Sequence, residues 1–494
     1  MTNKRLKLIP TKFVMYSSFG HYWNGSWKKS SSRKKIIVIS PVTEKILGEV
    51  PSASESDTME VIESAVSGIN RWRSLSCLER SRIIRRVAEL MLKRKDEIAR
   101  YLSLELGKPL DQSLGEIEMA VEQFEWYSEE AKRVYGQIIE SRQNDAKVLI
   151  QYEPVGVVAA FTSWNFPVIL AARKIAPALA AGCPVILCPA LEAPGSAMIF
   201  AQCLHDAKIP EGVINLIFGN PEIVSKVLMN EPRVRKISLT GSTRVGKILV
   251  EASAKTLKNT SMELGGHAPV IVFPDTDPES IAEQAAMVKF KHCGQVCASP
   301  SRFYIHETHA EKFTKKFVNV TKNFKLGDGM KSGIDIGPLA TKKRLEEVEL
   351  MVSQTLSSGA RLRLGGKRPE GLKNGFFYEP TIFDQVPDHS PVMQQEPFGP
   401  IVPITTFKNF NEVIERANNL EYGLTSYVFT RSQRLAHRTA DAIEAGMVAV
   451  NTFALASAET PYGGIKQSGF GREGGSQGIN DYLNIKYINM VMEE

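Results

Sequence analysis

The first 43 residues contain no aspartate or glutamate, and this absence decides how the charge of the chain is interpreted. The whole chain of 494 residues carries a formal net charge of +7. Nine of its 61 Lys and Arg residues lie in the acid-free segment, which leaves 52 basic residues against 54 acidic ones in the remainder. The rest of the chain therefore lacks the charge of a nucleic-acid-binding protein, and we expect no nucleic-acid partner.

The acid-free segment has two interpretations. Because it is rich in Lys, Arg and Ser, its composition is similar to that of a mitochondrial transit peptide. Pro10, Phe13 and Trp23 interrupt it without a clear amphipathic stripe, which favours a solvated N-terminal arm instead.

Cysteine is scarce, and no long hydrophobic run is unbroken. The six cysteines have the spacing neither of a disulfide framework nor of a metal site, so we expect reduced thiols and no metal. Residues 154–172 carry no charge, but Pro154, Gly156 and Pro167 interrupt any helix there, so we expect no membrane partner. These features favour a cytoplasmic protein, or a mitochondrial matrix protein if the basic segment is a transit peptide.

The length indicates two or three domains. Helices are predicted from Asp57, behind a capping-box pattern with Glu60, from Leu78 to about residue 106, and over 113–135. From residue 147 to 292, and again over 302–450, short β-branched runs alternate with helical stretches. This alternation predicts an α/β fold with parallel sheets between helices, in which a nucleotide binds at the carboxyl ends of the strands.

No Gly-x-Gly-x-x-Gly fingerprint follows a predicted strand, so the sequence offers only a weaker phosphate site. The candidate is residues 239–246, which read as a strand end, a glycine turn and a helix start. Backbone amides and the Ser242 hydroxyl at this helix N-terminus would hold a pyrophosphate. The same pattern also serves simply to cap a helix.

The last predicted strand, residues 482–490, has little to pair with nearby in the sequence. We expect it to complete a sheet elsewhere in the chain or in a partner subunit.

Cys297 is the main candidate for chemistry. It follows Gly294 by three residues and precedes the small residues Ala298 and Ser299. A thiol on a glycine-relieved turn is open to a substrate, and the ionised form is a strong nucleophile. The alternative is a small buried core residue, which most free cysteines are.

Four short stretches share a characteristic order and spacing. They are Ser163-Trp164-Asn165-Phe166-Pro167, Met262-Glu263-Leu264-Gly265-Gly266, Gly294-Gln295-Val296-Cys297 and Gln395-Glu396-Pro397-Phe398-Gly399-Pro400. This set resembles the aldehyde dehydrogenase superfamily, from about residue 23 to 487. The resemblance implies an α/β fold with a Rossmann-like cofactor domain (1–130 and 152–262), a second α/β catalytic domain (263–464) and a small oligomerisation sheet (131–151 and 465–494).

The resemblance also implies catalytic roles. Cys297 would attack an aldehyde to give a thiohemiacetal, and the Asn165 amide with the Cys297 N–H would stabilise the oxyanion. Glu263 would activate the water that hydrolyses the resulting thioester. Relatives that pass the acyl group to coenzyme A lack this glutamate, so Glu263 favours hydrolysis. Lys174 would support the oxyanion site and proton traffic.

The implied cofactor is NAD or NADP. Its contacts would come from Trp164, Gly241, Ser242, Gly246, Leu264, Glu396 and Phe398, with Glu396 on the nicotinamide ribose and Phe398 beside the nicotinamide.

One departure concerns the adenine-side ribose. Where the family usually has Lys-Pro-(Ala/Ser)-Glu, this chain has Cys188-Pro189-Ala190-Leu191. The missing lysine and glutamate leave the choice between NAD and NADP open. Glu192, one position later, is expected to point elsewhere.

Residues 463–487 look most like those of succinate-semialdehyde dehydrogenases, in which two arginines and a serine hold the distal carboxylate. Arg173 and Ser457 match the first arginine and the serine. Lys291 replaces the second arginine, which keeps the charge but loses the bidentate fork. Two cations near one pocket favour a carboxylate and would lower the pKa of Cys297. The alternative for Arg173 is a salt bridge to a neighbouring helix.

We therefore predict NAD(P)-dependent oxidation of succinate semialdehyde to succinate by a homodimer or homotetramer. The alternatives are another semialdehyde such as glutarate semialdehyde, an aliphatic aldehyde, or a non-catalytic family member that binds nucleotide. The altered segment at 188–191 motivates the last of these.

Overall fold

A computed structural model describes residue 16 and residues 19–492 of the chain. The strands of this part are β1 (His21–Trp23), β2 (Ser26–Lys28), β3 (Lys35–Ile39), β4 (Ile46–Pro51), β5 (Gln137–Glu140), β6 (Ala146–Pro154), β7 (Val157–Phe161), β8 (Val185–Cys188), β9 (Ile214–Leu216), β10 (Val234–Thr240), β11 (Asn259–Glu263), β12 (Ala268–Val272), β13 (Pro300–His306), β14 (Arg361–Leu364), β15 (Thr381–Asp384), β16 (Ile401–Phe407), β17 (Tyr422–Gly423), β18 (Thr425–Phe429), β19 (Met447–Val450), β20 (Ile465–Lys466), β21 (Gly469–Phe470) and β22 (Leu483–Val491).

The α-helices of the same residues are α1 (Glu55–Arg73), α2 (Cys77–Lys93), α3 (Lys95–Leu106), α4 (Leu110–Glu130), α5 (Pro167–Ala181), α6 (Pro194–Asp206), α7 (Pro221–Asn230), α8 (Thr243–Ser253), α9 (Pro278–Lys289), α10 (Ala310–Thr321), α11 (Lys342–Ser357), α12 (Pro391–Gln394), α13 (Phe410–Asn418) and α14 (Gln433–Ala442). Across residues 19–492, none of these helices is long and apolar enough to cross a membrane.

The first sheet has the strand order β2-β1-β9-β8-β7-β10-β11-β21. Its five central strands, β9 to β11, pair in parallel. Both faces of β7 are buried: Val157 and Ala159 face one hydrophobic cluster, and Val158 and Ala160 face another. This double burial is why β7 reads as an unbroken apolar run, as the alternation of strands and helices predicts.

The second sheet has the order β14-β15-β16-β13-β12-β18-β19, and each neighbouring pair except β14 with β15 is parallel. Val270, Phe303 and Ile404 from its central strands lie in one fully buried cluster. The predicted α/β class is therefore confirmed in two separate parallel sheets.

The third sheet is antiparallel, with the order β22-β6-β5. Strand β22 pairs with β6 along its whole length, from Leu483 opposite Pro154 to Val491 opposite Ala146. The last predicted strand thus completes a sheet within its own chain. The domain boundaries stay a prediction. Two strands of the predicted oligomerisation segment pair outside the third sheet, β20 with β17 and β21 with β11.

Two helix predictions differ from the structure. The N-cap of helix α1 is Ser54, three residues before the predicted N-cap, Asp57. Asp57 instead closes the capping box by accepting a hydrogen bond from the Ser54 N–H at 2.9 Å. The predicted single helix from Leu78 breaks at Arg94, where φ is −106° and ψ is 12°. Arg94 forms an ion pair with Asp206, which holds the break against α6.

The N-terminal segment also differs from expectation. Its described part is not a solvated arm, because β1 pairs with β9 of the first sheet and buries His21, Tyr22 and Trp23. Burial of three aromatic rings outweighs the basic composition around them. A transit peptide among the residues before 16 lies outside the described residues.

Candidate functional site

The candidate catalytic residues lie where strands of the two large sheets end. Asn165 follows β7, Glu263 is the last residue of β11, and Cys297 precedes β13. All three line one cleft of about 400 Å³ together with Glu396 and Phe398. We call it the carboxylate cleft, because Glu192, Glu263, Glu347 and Glu396 line it.

A second cavity of about 540 Å³ shares Asn165 and Cys297 with the carboxylate cleft. We call it the aromatic cavity, since its rings come from Phe166, Tyr427, Phe453 and Tyr462. Cys297 thus lies at the boundary between two cavities of different chemistry.

Asn165 is fixed by a buried ion pair. The N-cap of α5, Phe166, provides no side-chain cap, so the first N–H groups of the helix need another partner. Glu116 of α4 accepts from the N–H of Val168 at 2.9 Å and forms an ion pair with Lys108. Lys108 in turn donates to the Asn165 carbonyl at 2.9 Å. Both charged side chains are fully buried, so their pairing holds the turn that presents Asn165.

The loop that carries Cys297 is held at close range. Gly294 has φ of +73°, and a Cβ there would lie 2.2 Å from the Gly399 carbonyl oxygen. Only glycine allows this approach of the Cys297 loop to the segment containing Glu396. The Asn165 Nδ2 group donates to the Gln295 carbonyl at 3.1 Å, which ties Asn165 to the same loop.

The Cys297 sulfur lies 3.1 Å from the Tyr462 hydroxyl oxygen. Burial raises the pKa of the Cys297 thiol well above its ordinary value, and the negative charge of Glu263 raises it further. The expectation that two cations lower this pKa is wrong. Arg173 stacks on the Tyr462 ring and Lys291 is exposed, so neither outweighs the burial and the nearby carboxylates.

Glu263 is a buried carboxyl group whose hydrogen-bond partner among the described side chains is the Cys297 thiol. Burial raises its pKa to about 8, with the charge of Glu473 as a further cause. A carboxyl group with a pKa near the working pH is suited to act as a general base.

Lys174 lies beside Glu263 but lines neither cavity. Its ammonium group donates to the Thr240 hydroxyl at 2.7 Å and forms a buried ion pair with Glu473. Sequence reasoning did not single out Glu473. It lies in the glycine-rich run 463–475, and only the fold brings that run against α5.

Six of the seven expected cofactor residues line the carboxylate cleft: Trp164, Gly241, Ser242, Leu264, Glu396 and Phe398. Gly246 is the exception. A Cβ at Gly246 would lie 2.6 Å from the Leu264 side chain, so this glycine lets α8 pack closely beneath Leu264. Ser242 caps α8 by accepting from the Val245 N–H at 3.4 Å, which leaves its hydroxyl hydrogen free to donate.

Glu396 faces the middle of the carboxylate cleft. It accepts a hydrogen bond from the Gly266 N–H at 3.2 Å, and burial raises its pKa to about 7. The rings of Trp164 and Phe398 meet edge to face at 5.5 Å on the same wall. A polar acceptor, an apolar ring wall and a helix N-terminus in one cleft fit the ribose, nicotinamide and phosphates of a dinucleotide.

The altered segment directly precedes Glu192, which lines this cleft. Cys188 ends β8, and burial raises the pKa of its thiol. The expectation for Glu192 is wrong, because it lines the cleft, as do Lys343 and Arg344 of α11. Glu192 is in the turn after β8, where side chains do not alternate as in a strand, so a shift of one residue does not turn it away.

The three expected substrate residues have different positions. Arg173 and Lys291 line the aromatic cavity. Ser457 does not, although Leu455 and Ala456 beside it do, and its hydroxyl lies 3.2 Å from that of Thr460. Among the described residues Arg173 forms no salt bridge, and its buried Nε has no hydrogen-bond partner.

Comparisons with known proteins agree with this geometry. The profile of the aldehyde dehydrogenase family matches residues 27–488. A glutarate-semialdehyde dehydrogenase of Pseudomonas putida is 41% identical over 94% of this chain and 96% of its own. An NADP-dependent succinate-semialdehyde dehydrogenase of Escherichia coli is 40% identical over the same shares. The structure of a Bacillus cereus aldehyde dehydrogenase with NAD+ superposes with a TM-score of 0.95 at 33% identity, covering 99% of this chain and 100% of the other.

Proposed function

The chain belongs to the aldehyde dehydrogenase family, and from this premise we propose that it oxidises succinate semialdehyde to succinate with NAD or NADP. The observation that carries the proposal is the meeting of Asn165, Glu263 and Cys297 in one cleft, with the unneutralised Arg173 in the adjoining cavity. The first three residues supply the chemistry common to aldehydes, and Arg173 favours an aldehyde with a carboxylate.

In the proposed reaction the Cys297 thiolate attacks the aldehyde carbon and forms a thiohemiacetal. Asn165 Nδ2 carries two hydrogens, of which one bonds to Gln295, so the second is free to stabilise the oxyanion. When bound, NAD or NADP supplies the acceptor for the hydride that leaves the thiohemiacetal carbon. Glu263 then takes a proton from water as it attacks the thioester, which releases the acid and the Cys297 thiolate.

Lys174 and Glu473 are proposed to handle the proton that Glu263 accepts. The three groups are buried together, and the charges of Lys174 and Glu473 shift the pKa of Glu263 in opposite directions. A change in their pairing therefore changes how readily Glu263 holds a proton.

Acidic and basic residues line the carboxylate cleft where we expect the adenine-side ribose to bind. The preference for NAD or NADP should depend on the balance of their charges. Glu192 disfavours a 2′-phosphate by charge, whereas Lys343 and Arg344 favour it. Initial rates with NAD and with NADP, before and after the change Glu192→Gln, test this balance. We expect the change to improve use of NADP relative to NAD.

Glutarate semialdehyde is a second candidate substrate, because the Pseudomonas relative of similar identity carries that name. It differs from succinate semialdehyde by one methylene, for which one binding site discriminates by about 10–200-fold at most. Steady-state kcat/KM for succinate semialdehyde, glutarate semialdehyde and butanal tests the proposal. A higher value for butanal than for both carboxylated aldehydes would overturn it.

We also propose that the protein forms a homodimer or homotetramer through the third sheet. Ile139 on β5 and Ile485 and Tyr487 on β22 share one face of the sheet and are 46%, 69% and 61% exposed, so this face carries an uncovered apolar surface. Light scattering tests the assembly, and a monomer at micromolar concentration would contradict it.

The cellular location stays a prediction, supported by six free cysteine thiols, which suit a reducing compartment such as the cytoplasm.

A further inference from the structure

We propose that Tyr462 is a catalytic residue that also sets substrate specificity: its hydroxyl donates a hydrogen bond to the Cys297 thiolate, and its ring holds the Arg173 guanidinium for the substrate carboxylate. The part that concerns the carboxylate rests on the proposed function. The part that concerns the thiolate depends only on the geometry around Cys297.

The protonation state of Cys297 determines which group donates the hydrogen bond between Cys297 and Tyr462. The Tyr462 oxygen lies 3.1 Å from the Cys297 sulfur, within the range of a hydrogen bond. When the thiol is neutral, either group can donate. Once the thiol loses its proton only the tyrosine hydroxyl can, and hydrogen bonds to a charged acceptor are about twice as strong as neutral ones. The contact therefore favours the thiolate over the thiol.

The need for such a donor follows from the surroundings of the sulfur. Glu263 from β11 and Glu396 from the segment after α12 both act against a negative charge on Cys297. Tyr427 of β18 lies close by, but its hydroxyl donates to the Ala298 carbonyl at 2.6 Å. Arg173 of α5 stacks on the Tyr462 ring. Among the described side chains that face the sulfur, Tyr462 is the one whose hydrogen bond stabilises the thiolate.

The ring of Tyr462 contacts the other half of the site. The Arg173 guanidinium carbon lies 4.2 Å from the ring centroid, a stacked cation–π contact, and Tyr462 is only 5% exposed. The buried Tyr462 ring contacts Arg173 on its face and Cys297 through its hydroxyl. It therefore keeps the Arg173 guanidinium in one place without forming an ion pair with it. A single tyrosine ring therefore separates the nucleophile from the cation, which suits a short aldehyde with a terminal carboxylate.

Two variants separate the two roles. Tyr462→Phe keeps the ring and removes the hydroxyl, whereas Tyr462→Leu removes both. The first readout is the rate of Cys297 alkylation by iodoacetamide as a function of pH, which needs no substrate. We expect Tyr462→Phe to move the midpoint of this profile upward by about one pH unit or more. The KM for succinate semialdehyde should change by less than about threefold in Tyr462→Phe and rise by about tenfold in Tyr462→Leu.

Tyr427→Phe is the matched control, because it removes a tyrosine hydroxyl from the same cavity without touching the sulfur. Its alkylation midpoint should match that of the unchanged protein. An unshifted midpoint in Tyr462→Phe, or an equal shift in both phenylalanine variants, would overturn the role of the hydroxyl. An unchanged KM in a Tyr462→Leu protein that unfolds at the normal temperature would overturn the role of the ring.

These readouts distinguish this inference from the proposed function. If succinate semialdehyde is not oxidised but the alkylation midpoint still moves in Tyr462→Phe alone, the substrate proposal fails and the thiolate contact stands.

Discussion

The carboxylate cleft and the aromatic cavity meet at Cys297, yet they differ in the way their charged groups are held. Glu263 and Glu396 in the cleft are buried and have raised pKa values, so their charge depends on pH near neutrality. In the aromatic cavity the Arg173 guanidinium is stacked on the Tyr462 ring, and Lys291 is exposed. The difference suggests that proton chemistry belongs to the cleft and that the choice of substrate belongs to the cavity.

The largest expected effect is at the residue that both regions share. Cys297→Ala should remove aldehyde oxidation, a loss on the order of 10⁶-fold in kcat, because Cys297 is the one cysteine among the described residues that line the two cavities. Production of NADH or NADPH measures it. Cys293→Ala is the matched control, since Cys293 is a buried thiol in the same loop that lines neither cavity. Retained turnover in Cys297→Ala would show that neither region has been assigned correctly.

Next in size is the loss of the base in the cleft. Glu263→Gln should lower kcat by roughly 10²–10⁴-fold and leave an acyl-enzyme that mass spectrometry detects. In the unchanged protein the pKa of Glu263 is raised to about 8, so the base form is lost as the pH falls through 8. The hydrolytic rate should therefore fall by about tenfold per pH unit below that point. A profile that is flat between pH 6 and pH 9 would contradict this.

Asn165→Ala should lower kcat by about 10²–10³-fold, since one oxyanion donor is lost. Asn165 lines both regions, so the loss should be similar for succinate semialdehyde and butanal. Steady-state rates on the two aldehydes measure it. If only the carboxylated aldehyde were affected, Asn165 would act in substrate choice instead.

The smallest effects should come from the cavity and depend on the substrate. Arg173→Leu should raise the KM for succinate semialdehyde by about 10–100-fold, the value of a charged hydrogen bond, with little change for butanal. Lys291→Met should raise it by no more than about fivefold, because an exposed charge is screened by water. Equal effects on butanal would remove the distinction between cleft and cavity.

Local patterns predicted most elements of the fold. The alternation of β-branched runs and helical stretches over 147–292 and 302–450 predicted the two parallel sheets and the helices between their strands, because such patterns report burial on one face or on two. The break at Arg94 and the true start of α1 at Ser54 were missed. The break depends on the contact of Arg94 with α6, and the start of α1 depends on which of several polar residues becomes the N-cap.

Short motifs identified the candidate chemistry, which is a thiol, a carboxyl group and an amide, because each motif consists of neighbouring residues. The contacts between distant segments came from the fold alone: Tyr462 meets the Cys297 sulfur, Glu473 pairs with Lys174, and Gly246 lies beneath Leu264 rather than in the cleft. The fold also decided that the Cys297 thiol has a raised pKa, against expectation. Burial and the distances between charges set pKa values, and both arise only when residues far apart in the sequence pack together, such as Lys174 and Glu473 at a separation of 299 positions.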